Sequence, residues 1–521
     1  MKARTKKLTA LLLAVAATLS LALSGCGSAS DKQDGGQSVS ESANQTDGSV
    51  IHVGIAQDLT SSLDPHQAEG AGAREVLFNV FEGLYKPDSE GNFIPAVAET
   101  YELSEDKLVY TFTLRSDVKF HNGDTVTVED VKTSIEDCMT NQDSPAYIPA
   151  FANIASVETP DEKTVVIALS EADPDFMSYL ASVKAAIVPA DSEDLDTNPI
   201  GTGPYQYVSR SIQENIILEK FEDYWGKKAN IDRVVFKVCA DSDSVTTSLK
   251  SGSIDMMAHL TATQVAQLGD EFNIVENTMN LVQALYLNND FEPFQNEAVR
   301  QALCYAVDRQ QILELVSDGK GAIVGSSMFP NFKKYFDESL NDIYSYDPQR
   351  AKELLKEAGY ENGFSFKITV PSNYTQHVDT AQVIVEQLKA VGIDAQIHQV
   401  EWNTWLEEVY TNRNYEATVV GVDASYLAAS AMLSRFRSDS SSNFVNYKNA
   451  DYDVAYAAAR AEISDEKQTE YYKACQRILA ETAANVYIQD LPEMVALSNR
   501  FTGYECYPLY VQDIANIKLA E

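Results

Sequence analysis

The stretch that decides the fold class reads Phe364-Ser-Phe-Lys-Ile-Thr-Val370, then Val378 to Val391, then Ile393-Asp-Ala-Gln-Ile397. In the first and last parts, apolar side chains alternate with polar ones, which is typical of a strand with one buried face. The middle part has the pattern of a helix, and Gly392 predicts its end. A strand, a helix and a strand within about 35 residues predict a βαβ unit with a right-handed crossover, and therefore an α/β fold.

Two further stretches extend this α/β pattern. Asp347 and Pro348 predict the start of a helix, because Asp is a good N-cap residue and Pro is favoured at the first helical position, and Gly359 predicts its end. Apolar residues alternate from Leu108 to Leu114, which predicts a strand, and Thr127-Val-Glu-Asp130 predicts the start of another helix. The chain is too long for one hydrophobic core, so we expect two or more lobes.

The N-terminus carries the pattern of a secretory signal. An apolar run from Leu8 to Leu23 follows a basic start, is too short for a membrane-spanning helix, and ends in Leu23-Ser-Gly-Cys26. This ending resembles the lipobox of bacterial lipoproteins, in which a diacylglycerol is attached to the cysteine sulfur and the chain is cut before it. We therefore expect residues 1–25 to be a signal peptide, Cys26 to be lipidated, and residues 26–49 to be a flexible polar tether. The alternative is a soluble secreted protein with an incidental cysteine.

The charge balance excludes some classes of partner. The chain has 77 acidic and 40 basic side chains, a formal net charge of −37. Nucleic acid and anionic lipid surfaces bind clustered Lys and Arg, so we expect neither as a partner. Five cysteines follow Cys26 without a C-x-x-C pair, and because their number is odd, at least one thiol is free or pairs with another molecule.

The sequence contains no motif of a known class of enzyme. It has no H-E-x-x-H, no P-loop and no G-x-S-x-G. Gly70-Ala-Gly72 is followed by Ala-Arg-Glu, so the dinucleotide-binding glycine pattern fails at its third position. The six histidines lack metal-ligand spacing. We therefore expect a protein that is not an enzyme and that holds no metal and no cofactor.

Four stretches form a pattern that covers nearly the whole chain after the tether. They are Leu63-Asp-Pro65 with Asn79-Val-Phe-Glu-Gly-Leu84 and Pro95-Ala-Val-Ala-Glu99; Tyr110-Thr-Phe-Thr-Leu-Arg115 through Val118-Lys-Phe-His-Asn-Gly123 to Glu129-Asp-Val131; Gly201-Thr-Gly-Pro-Tyr205 with Tyr224-Trp-Gly226 and Leu249-Lys-Ser-Gly-Ser-Ile-Asp255; and Val299-Arg-Gln-Ala-Leu303 to Ala306-Val-Asp-Arg309 with Tyr346 to Tyr360. In residues and in order, they resemble the family 5 extracellular solute-binding proteins, the peptide-binding and nickel-binding receptors of ABC importers.

The resemblance implies a type II periplasmic-binding-protein fold, with two α/β lobes, a cleft between them and an extra subdomain on the first lobe. It implies a first lobe of residues 50–285, including a subdomain at about 85–199, a second lobe of residues 286–494, and a return to the first lobe at residues 495–521. The chain would cross near Leu285 to Asn289 and return near Val495 to Phe501. Such a protein captures a solute and delivers it to the permease subunits and ATPases of an importer. With the lipid anchor, it would be a monomer on the cell membrane, facing the cell surface or the periplasm.

The resemblance also implies which segments contact a ligand. In dipeptide receptors of the family, a small-residue segment after the first strand touches the ligand, and here it matches Glu69, Gly70 and Ala71. A Trp that follows the end of the βαβ unit matches Trp402, with Trp405 one helical turn later. An aromatic side chain at such a position either stacks on a ligand or fills the core.

Two charged positions of the dipeptide receptors are changed in this chain. The Asp that pairs with the ammonium of the peptide aligns with Ser425, although Asp423 shares its strand face and could substitute. The Arg that clamps the carboxylate aligns near Asn373 and Tyr374, and Arg435 is either its nearest replacement or a solvated surface residue. The candidate ligand-contacting residues at these positions are Asn373, Tyr374, Val422, Asp423, Ser425 and Arg435.

Loss of both charges favours a longer or differently ended ligand, because an unmatched terminus of a dipeptide would leave a desolvated ion. We therefore expect a peptide-like solute, an oligopeptide rather than a free dipeptide, with a modified peptide or a non-peptide solute as the alternative. A lipoprotein that presents its solute to a sensor is another interpretation. A cell-surface hydrolase is disfavoured, because the sequence lacks nucleophile and metal motifs.

Overall fold

The computed structural model describes residues 49–521, apart from residues 57, 60, 61, 69, 142, 143, 145, 146, 240, 241, 425 and 463, and for residues 71, 242 and 243 it describes no side chain. The predicted signal peptide, Cys26 and almost all of the predicted tether lie outside the described residues. Two candidate ligand contacts, Glu69 and Ser425, lie outside them as well.

The described residues form a mixed α/β structure of short elements. The strands are β1 Val50–Ile55, β2 Tyr85–Pro87, β3 Phe93–Pro95, β4 Ala98–Leu103, β5 Val109–Leu114, β6 Ile154–Glu158, β7 Thr164–Leu169, β8 Tyr205–Ser211, β9 Asn215–Lys220, β10 Arg233–Val238, β11 Met256–Met257, β12 Phe272–Thr278, β13 Leu281–Leu287, β14 Ala322–Ile323, β15 Ser365–Pro371, β16 Asp394–Val400, β17 Ala417–Asp423, β18 Val486–Asp490, β19 Pro492–Ser498, β20 Phe501–Thr502 and β21 Lys518–Leu519. The α-helices are α1 Ala71–Leu77, α2 Val128–Thr140, α3 Phe176–Leu180, α4 Ser242–Lys250, α5 Ala262–Ala266, α6 Glu297–Ala306, α7 Arg309–Ser317, α8 Pro348–Glu357, α9 Thr375–Lys389, α10 Trp402–Trp405, α11 Ala429–Leu433, α12 Ala450–Ala461 and α13 Asp465–Glu481. Short 3₁₀ turns lie at Pro149–Asn153, Val183–Ala185, Glu292–Gln295, Glu338–Asp342 and Ser434–Phe436, and a π turn lies at Leu406–Thr411.

The first lobe is built on a seven-stranded sheet of described residues in the order β12-β19-β11-β1-β10-β9-β8. β1 lies inside this sheet and pairs in parallel with β10 and β11. Ile51 and Val53 of β1 and Phe236 of β10 are fully buried. The apolar residues of α1 pack into the same core, so α1 is held rigidly by the sheet.

The second lobe is built on a six-stranded sheet of described residues in the order β14-β18-β13-β17-β15-β16. All seven residues of β13 are buried, because separate apolar cores cover the two faces of the sheet. The predicted βαβ unit is confirmed: β15 and β16 pair in parallel, and α9 connects them. Gly392, after α9, has a φ of +89°, a conformation that glycine adopts without strain.

The two helix starts predicted from capping residues are also confirmed. Asp347 accepts the backbone N–H groups of Gln349 and Arg350 at the start of α8, at 3.1 and 3.0 Å. Thr127 and Asp130 form the capping box that begins α2. α2 and α3 pack in the separate core of a subdomain whose sheet has the order β4-β5-β7-β6.

Two short crossings join the lobes. The chain leaves the first sheet after β12, at Met279 and Asn280, and returns from the second sheet at Leu491, before β19. Met279 and Leu491 pack together with Leu281 in a small apolar cluster. The structure thus places both crossings earlier than Leu285 to Asn289 and Val495 to Phe501, because β13 and β19 begin at the crossings and continue through the first residues of those segments.

Among the described residues, no helix is both long and apolar enough to cross a membrane. Cys138, Cys239, Cys304, Cys475 and Cys506 are all free thiols.

Candidate functional site

An ion pair joins the two lobes at the start of α1. The turn before this helix requires a φ of +97° at Gly70, which strains any residue with a Cβ atom, although no atom stands within 4 Å of that position. One helical turn later, Arg74 donates from Nη2 to Oδ2 of Asp423, the last residue of β17. The two side chains are 17% and 34% exposed, so the pair lies in a partly closed cleft between the lobes.

A buried triad of ionisable groups lies beside this ion pair on the first lobe. His259 bonds through Nε2 to Oε1 of Glu75 and through Nδ1 to Oε2 of Glu493, both at 2.6 Å. The backbone N–H of His259 and the side-chain amide of Gln512 add hydrogen bonds to these carboxylates, at 2.8 and 3.0 Å. Glu75 is 4% exposed and Glu493 is 6% exposed.

The two carboxylates hold His259 in its protonated form. Burial alone would lower the pKa of His259, but Glu493 and Glu75 outweigh burial and raise it to about 10. Both ring nitrogens therefore donate, because each faces a carboxylate oxygen. A protonated imidazole at neutral pH is thus a fixed part of this site.

Aromatic side chains cover the ionisable groups. The ring of Tyr510 stacks on His259, with 4.4 Å between ring centroids and 11° between planes. From the second lobe, Tyr374 meets Trp402 edge to face at 5.4 Å. Burial raises the pKa of Tyr374 to about 12, and the negative charges of Glu75 and Asp423 contribute to the rise. Tyr374 therefore lies close to acidic groups of both lobes.

We refer to these side chains as the cleft cluster: Arg74, Glu75, His259, Tyr374, Trp402, Asp423, Glu493 and Tyr510. Two formal positive charges face three formal negative charges, a balance of 2 − 3 = −1. An anionic group of a ligand is repelled by this balance, whereas a cationic group or a neutral hydrogen-bond donor complements it.

The structure places part of the residues expected to bind ligand in this cluster. Asp423, Tyr374 and Trp402 belong to it, and Gly70 shapes the turn before Arg74. Asn373 is exposed and comes directly before Tyr374. Only the backbone of Ala71 is described, as the first residue of α1.

Two of the expected ligand contacts are core residues. Trp405 is 3% exposed, and its Nε1 donates to Oγ1 of Thr418 at 2.9 Å. Val422 is 8% exposed and packs in the same apolar core of the second lobe. Both side chains therefore lie in the apolar core of the second lobe, and their contact with a ligand stays a prediction.

Arg435 is held within the second lobe. It lies on the Ser434–Phe436 turn, is partly buried, and donates from Nη2 to the carbonyl of Ala431 at 3.1 Å. No ion pair of Arg435 with a described residue is present. Among the described residues, no hydrogen bond or ion pair joins Arg435 to the cleft cluster.

Sequence reasoning missed the charged residues that the first lobe supplies. Arg74 and Glu75 follow the expected segment by one helical turn, so the amphipathic face of a short helix was an available signal. Glu493 and Tyr510 join the cluster only through long-range packing, and no local pattern marks them.

A cavity of ≈ 320 Å³ lies elsewhere, among Phe78, Tyr224, Trp225 and Tyr507. All its lining residues belong to the first lobe, the subdomain or the C-terminal segment, so closure of the second lobe does not form it. Among the residues that the structure describes, no group of three or more His, Cys, Asp or Glu side chains is arranged to hold a metal ion.

Known proteins share this architecture over most of its length. A family model described as bacterial extracellular solute-binding proteins, family 5 Middle, matches residues 92–444. The glutathione-binding protein GsiB of Salmonella typhi is 27% identical over 475 residues, covering 88% of this chain and 92% of GsiB. The solved structure of AgaA from A. tumefaciens R10 with agropinic acid is 28% identical, with a TM-score of 0.77 over 91% of this chain and 99% of AgaA. That of DppA from Helicobacter pylori with the peptide STSA is 25% identical, with a TM-score of 0.79 over 91% and 98%.

These matches confirm the expected fold class, a type II periplasmic-binding-protein fold. The matched proteins bind solutes and are not enzymes, which agrees with the missing catalytic motifs. The family acts outside the cytoplasm, together with permease and ATPase subunits. The chain belongs to the bacterial extracellular solute-binding proteins of family 5, as the substrate-binding component of an ABC importer.

Proposed function

We propose that this receptor captures peptides, and oligopeptides rather than free dipeptides, in the cleft between its lobes. The observation that carries the proposal is the Arg74–Asp423 ion pair at the cleft cluster. Asp423 lies two residues before Ser425, the position that aligns with the ammonium-pairing Asp of dipeptide receptors, and here it is already paired with Arg74. A ligand ammonium gains little by replacing Arg74, because the exchange breaks one charged hydrogen bond for each one it forms.

Arg74 gives a donor of its Nη2 to Asp423 and keeps further N–H donors on the guanidinium. Arg74 can therefore donate to a peptide carbonyl, while Tyr374 and Trp402 supply apolar area for a side chain. Such contacts are repeated along an extended chain and do not depend on its length, so they suit oligopeptides. The peptide STSA bound to DppA of Helicobacter pylori and the ligand named in GsiB support a peptide-like solute.

Thermal shift tests this proposal after endogenous solute has been removed under denaturing conditions. A ligand that binds only the native state, at one hundred times its Kd, stabilises it by about 2.7 kcal/mol, which is easily measured. We expect a shift with some peptides of four or more residues and little or none with dipeptides. Acetylation of the N-terminus of an active peptide should weaken binding by less than about 1.5 kcal/mol. Tight binding of free dipeptides would refute the proposal.

The Asp423→Asn variant separates two roles of that carboxylate. If Asp423 binds the ligand ammonium, the variant and the acetylated peptide lose binding to the same degree. If Arg74 remains its partner, the variant binds free and acetylated peptides with similar affinities. Asp379→Asn, in α9 of the same lobe and outside the cleft cluster, is the matched control.

We also propose that the receptor is anchored to the membrane through a lipid on Cys26. The support is the sequence Leu23-Ser-Gly-Cys26 after a basic and apolar N-terminus. Cys26→Ala should release the protein from the membrane fraction, because the thiol is the only point of attachment of the diacylglycerol. Unchanged membrane partitioning of this variant would contradict the anchor.

A non-peptide solute is the second candidate. AgaA, whose solved structure contains agropinic acid, is 28% identical to this chain and shares its fold, so a protein of this fold also binds a solute other than a peptide. Absence of any shift with a broad peptide pool, together with a shift by an opine or another small organic solute, would favour this candidate.

A further inference from the structure

The subdomain contacts the second lobe through a buried ion-pair cluster that is separate from the cleft cluster. Asp173 and Asp175 lie between β7 and α3 and are 3% and 5% exposed. Arg460 of α12 donates from Nη2 to Oδ2 of Asp173 at 2.5 Å and from Nη1 to Oδ2 of Asp175 at 2.7 Å. Tyr472 of α13, fully buried, donates its hydroxyl to the same oxygen of Asp175 at 3.1 Å. We refer to these four residues as the interlobe ion-pair cluster.

Neighbouring aromatic contacts connect this cluster to the strand that supplies Asp423. The hydroxyls of Tyr179 in α3 and Ser430 in α11 lie 3.1 Å apart. The ring of Tyr179 also meets Tyr426 edge to face at 5.0 Å. Tyr426 comes soon after β17, and Asp423 is the last residue of that strand. The contact between subdomain and second lobe therefore reaches the loop beside the cleft.

Bonds within the subdomain hold the carboxylate of Asp173 and the backbone of Asp175. The backbone N–H of Asp175 donates to Oδ1 of Asp173 at 3.0 Å, and the hydroxyl of Ser178 donates to the carbonyl of Asp175 at 2.6 Å. Arg460, by contrast, comes from the other side, and it is the cation that both carboxylates meet among the described residues.

The two anions of the interlobe ion-pair cluster come from the subdomain and the cation comes from the second lobe, so their charges balance only when the two are in contact. In the closed structure two buried carboxylates share one guanidinium, and the bonds are charge-assisted in a site with little solvent. When the lobes separate, Arg460 moves away from Asp173 and Asp175, and all three groups must be solvated instead. Separation of the subdomain from the second lobe would therefore break all of these bonds together.

We propose that Arg460 is a positioning residue for ligand retention: it joins the subdomain to the second lobe, favours the closed state with or without ligand, and slows ligand release without touching the ligand. The inference rests on the proposed function only for the ligand, because closure itself is measurable on the empty protein. A shift of the empty protein towards the open state lowers the apparent affinity in proportion to the closed fraction that is lost.

Arg460→Gln tests this role. Small-angle scattering of the empty variant should give a larger radius of gyration than that of the unchanged protein. The dissociation rate of a bound peptide, or of the solute that copurifies, should rise about thirtyfold or more, as for other buried charge pairs that lose one partner. The association rate should not fall, because the ligand enters through the open form, which the variant populates more. Arg477→Gln is the control, because Arg477 pairs with Asp337 inside the second lobe; it should alter neither quantity.

Asp175→Asn provides a second variant of nearly unchanged volume, to be used if Arg460→Gln does not fold as judged by circular dichroism. It should raise the same two quantities. The inference is overturned if a folded variant keeps both the radius of gyration and the dissociation rate of the unchanged protein. Failure of the proposed function is distinguishable, because peptides would then not bind at all while the empty variant would still expand.

Discussion

Replacement of His259 by Gln is the change that most directly tests the electrostatics of the cleft cluster. His259 carries a positive charge between Glu75 and Glu493, and glutamine keeps a side chain that can hydrogen-bond but removes the charge. The buried carboxylates of Glu75 and Glu493 then lie close together with no cation between them, and burial of unpaired negative charges strongly destabilises the folded state. We expect the variant to be less stable than the unchanged protein, and by an amount that depends on pH.

The size of the pH-dependent part follows from the pKa of His259, which is about 10 in the folded protein. The ordinary value is about 6.5, and 1.36 kcal/mol per unit converts the difference to ~5 kcal/mol. Because the folded-state pKa is raised, this stabilisation is fully present below pH 6.5 and is lost as the pH rises towards 10. The contribution of this protonation to the difference in unfolding free energy between the two proteins should therefore fall from about 5 kcal/mol at pH 6 to about 2 kcal/mol at pH 8.5.

Urea denaturation of both proteins at several pH values between 6 and 9 measures this difference. His398→Gln is the control, because His398 is exposed on β16 and outside the cluster. Its effect on stability should be small at every pH. A difference between parent and His259→Gln that stays constant from pH 6.5 to 9 would refute the protonated triad.

Two further predictions use matched pairs of residues. Gly363 and Gly252 both have a φ of +72°, but a Cβ atom on Gly363 would lie 1.8 Å from the carbonyl oxygen of Gly392, whereas no atom lies within 4 Å of a Cβ atom on Gly252. In urea denaturation, Gly252→Ala should therefore destabilise the protein by about 1–2 kcal/mol, and Gly363→Ala should destabilise it clearly more. Equal losses of stability in the two variants would argue against the clash. Trp405→Ala should lower the free energy of unfolding by about 3–5 kcal/mol, because Trp405 lies in the apolar core, whereas Trp402→Ala should mainly weaken peptide binding. Denaturation measures the stability of both variants, and calorimetry measures their affinity for a peptide. An unchanged affinity of Trp402→Ala would remove that residue from the ligand site.

Local patterns predicted the elements well, because their causes are local. The alternation from Phe364 to Val370 and the helix before Gly392 depend on neighbouring residues, and the βαβ unit is present as expected. The capping residues Asp347 and Thr127 likewise act within one helical turn. Family resemblance then extended these pieces to two lobes and a subdomain.

The site was predicted less well, because its parts meet only through tertiary packing. Asp423, Tyr374 and Trp402 were among the predicted residues, but Arg74, the partner of Asp423, comes from the other lobe. His259 is joined to Glu493 across 234 positions of the chain. Trp402 and Trp405 are the same residue type on one short helix, so the sequence does not distinguish them, and only the fold decides which one is buried.

The most direct test of the account is the identity of the solute that the protein carries when it is purified without denaturation. Native mass spectrometry, followed by release and fragmentation of the bound solute, determines its mass and chemical class. We expect one or more peptides of at least four residues, lost on denaturation and restored by adding the same peptides. A homogeneous dipeptide or a non-peptide solute at full occupancy would contradict it.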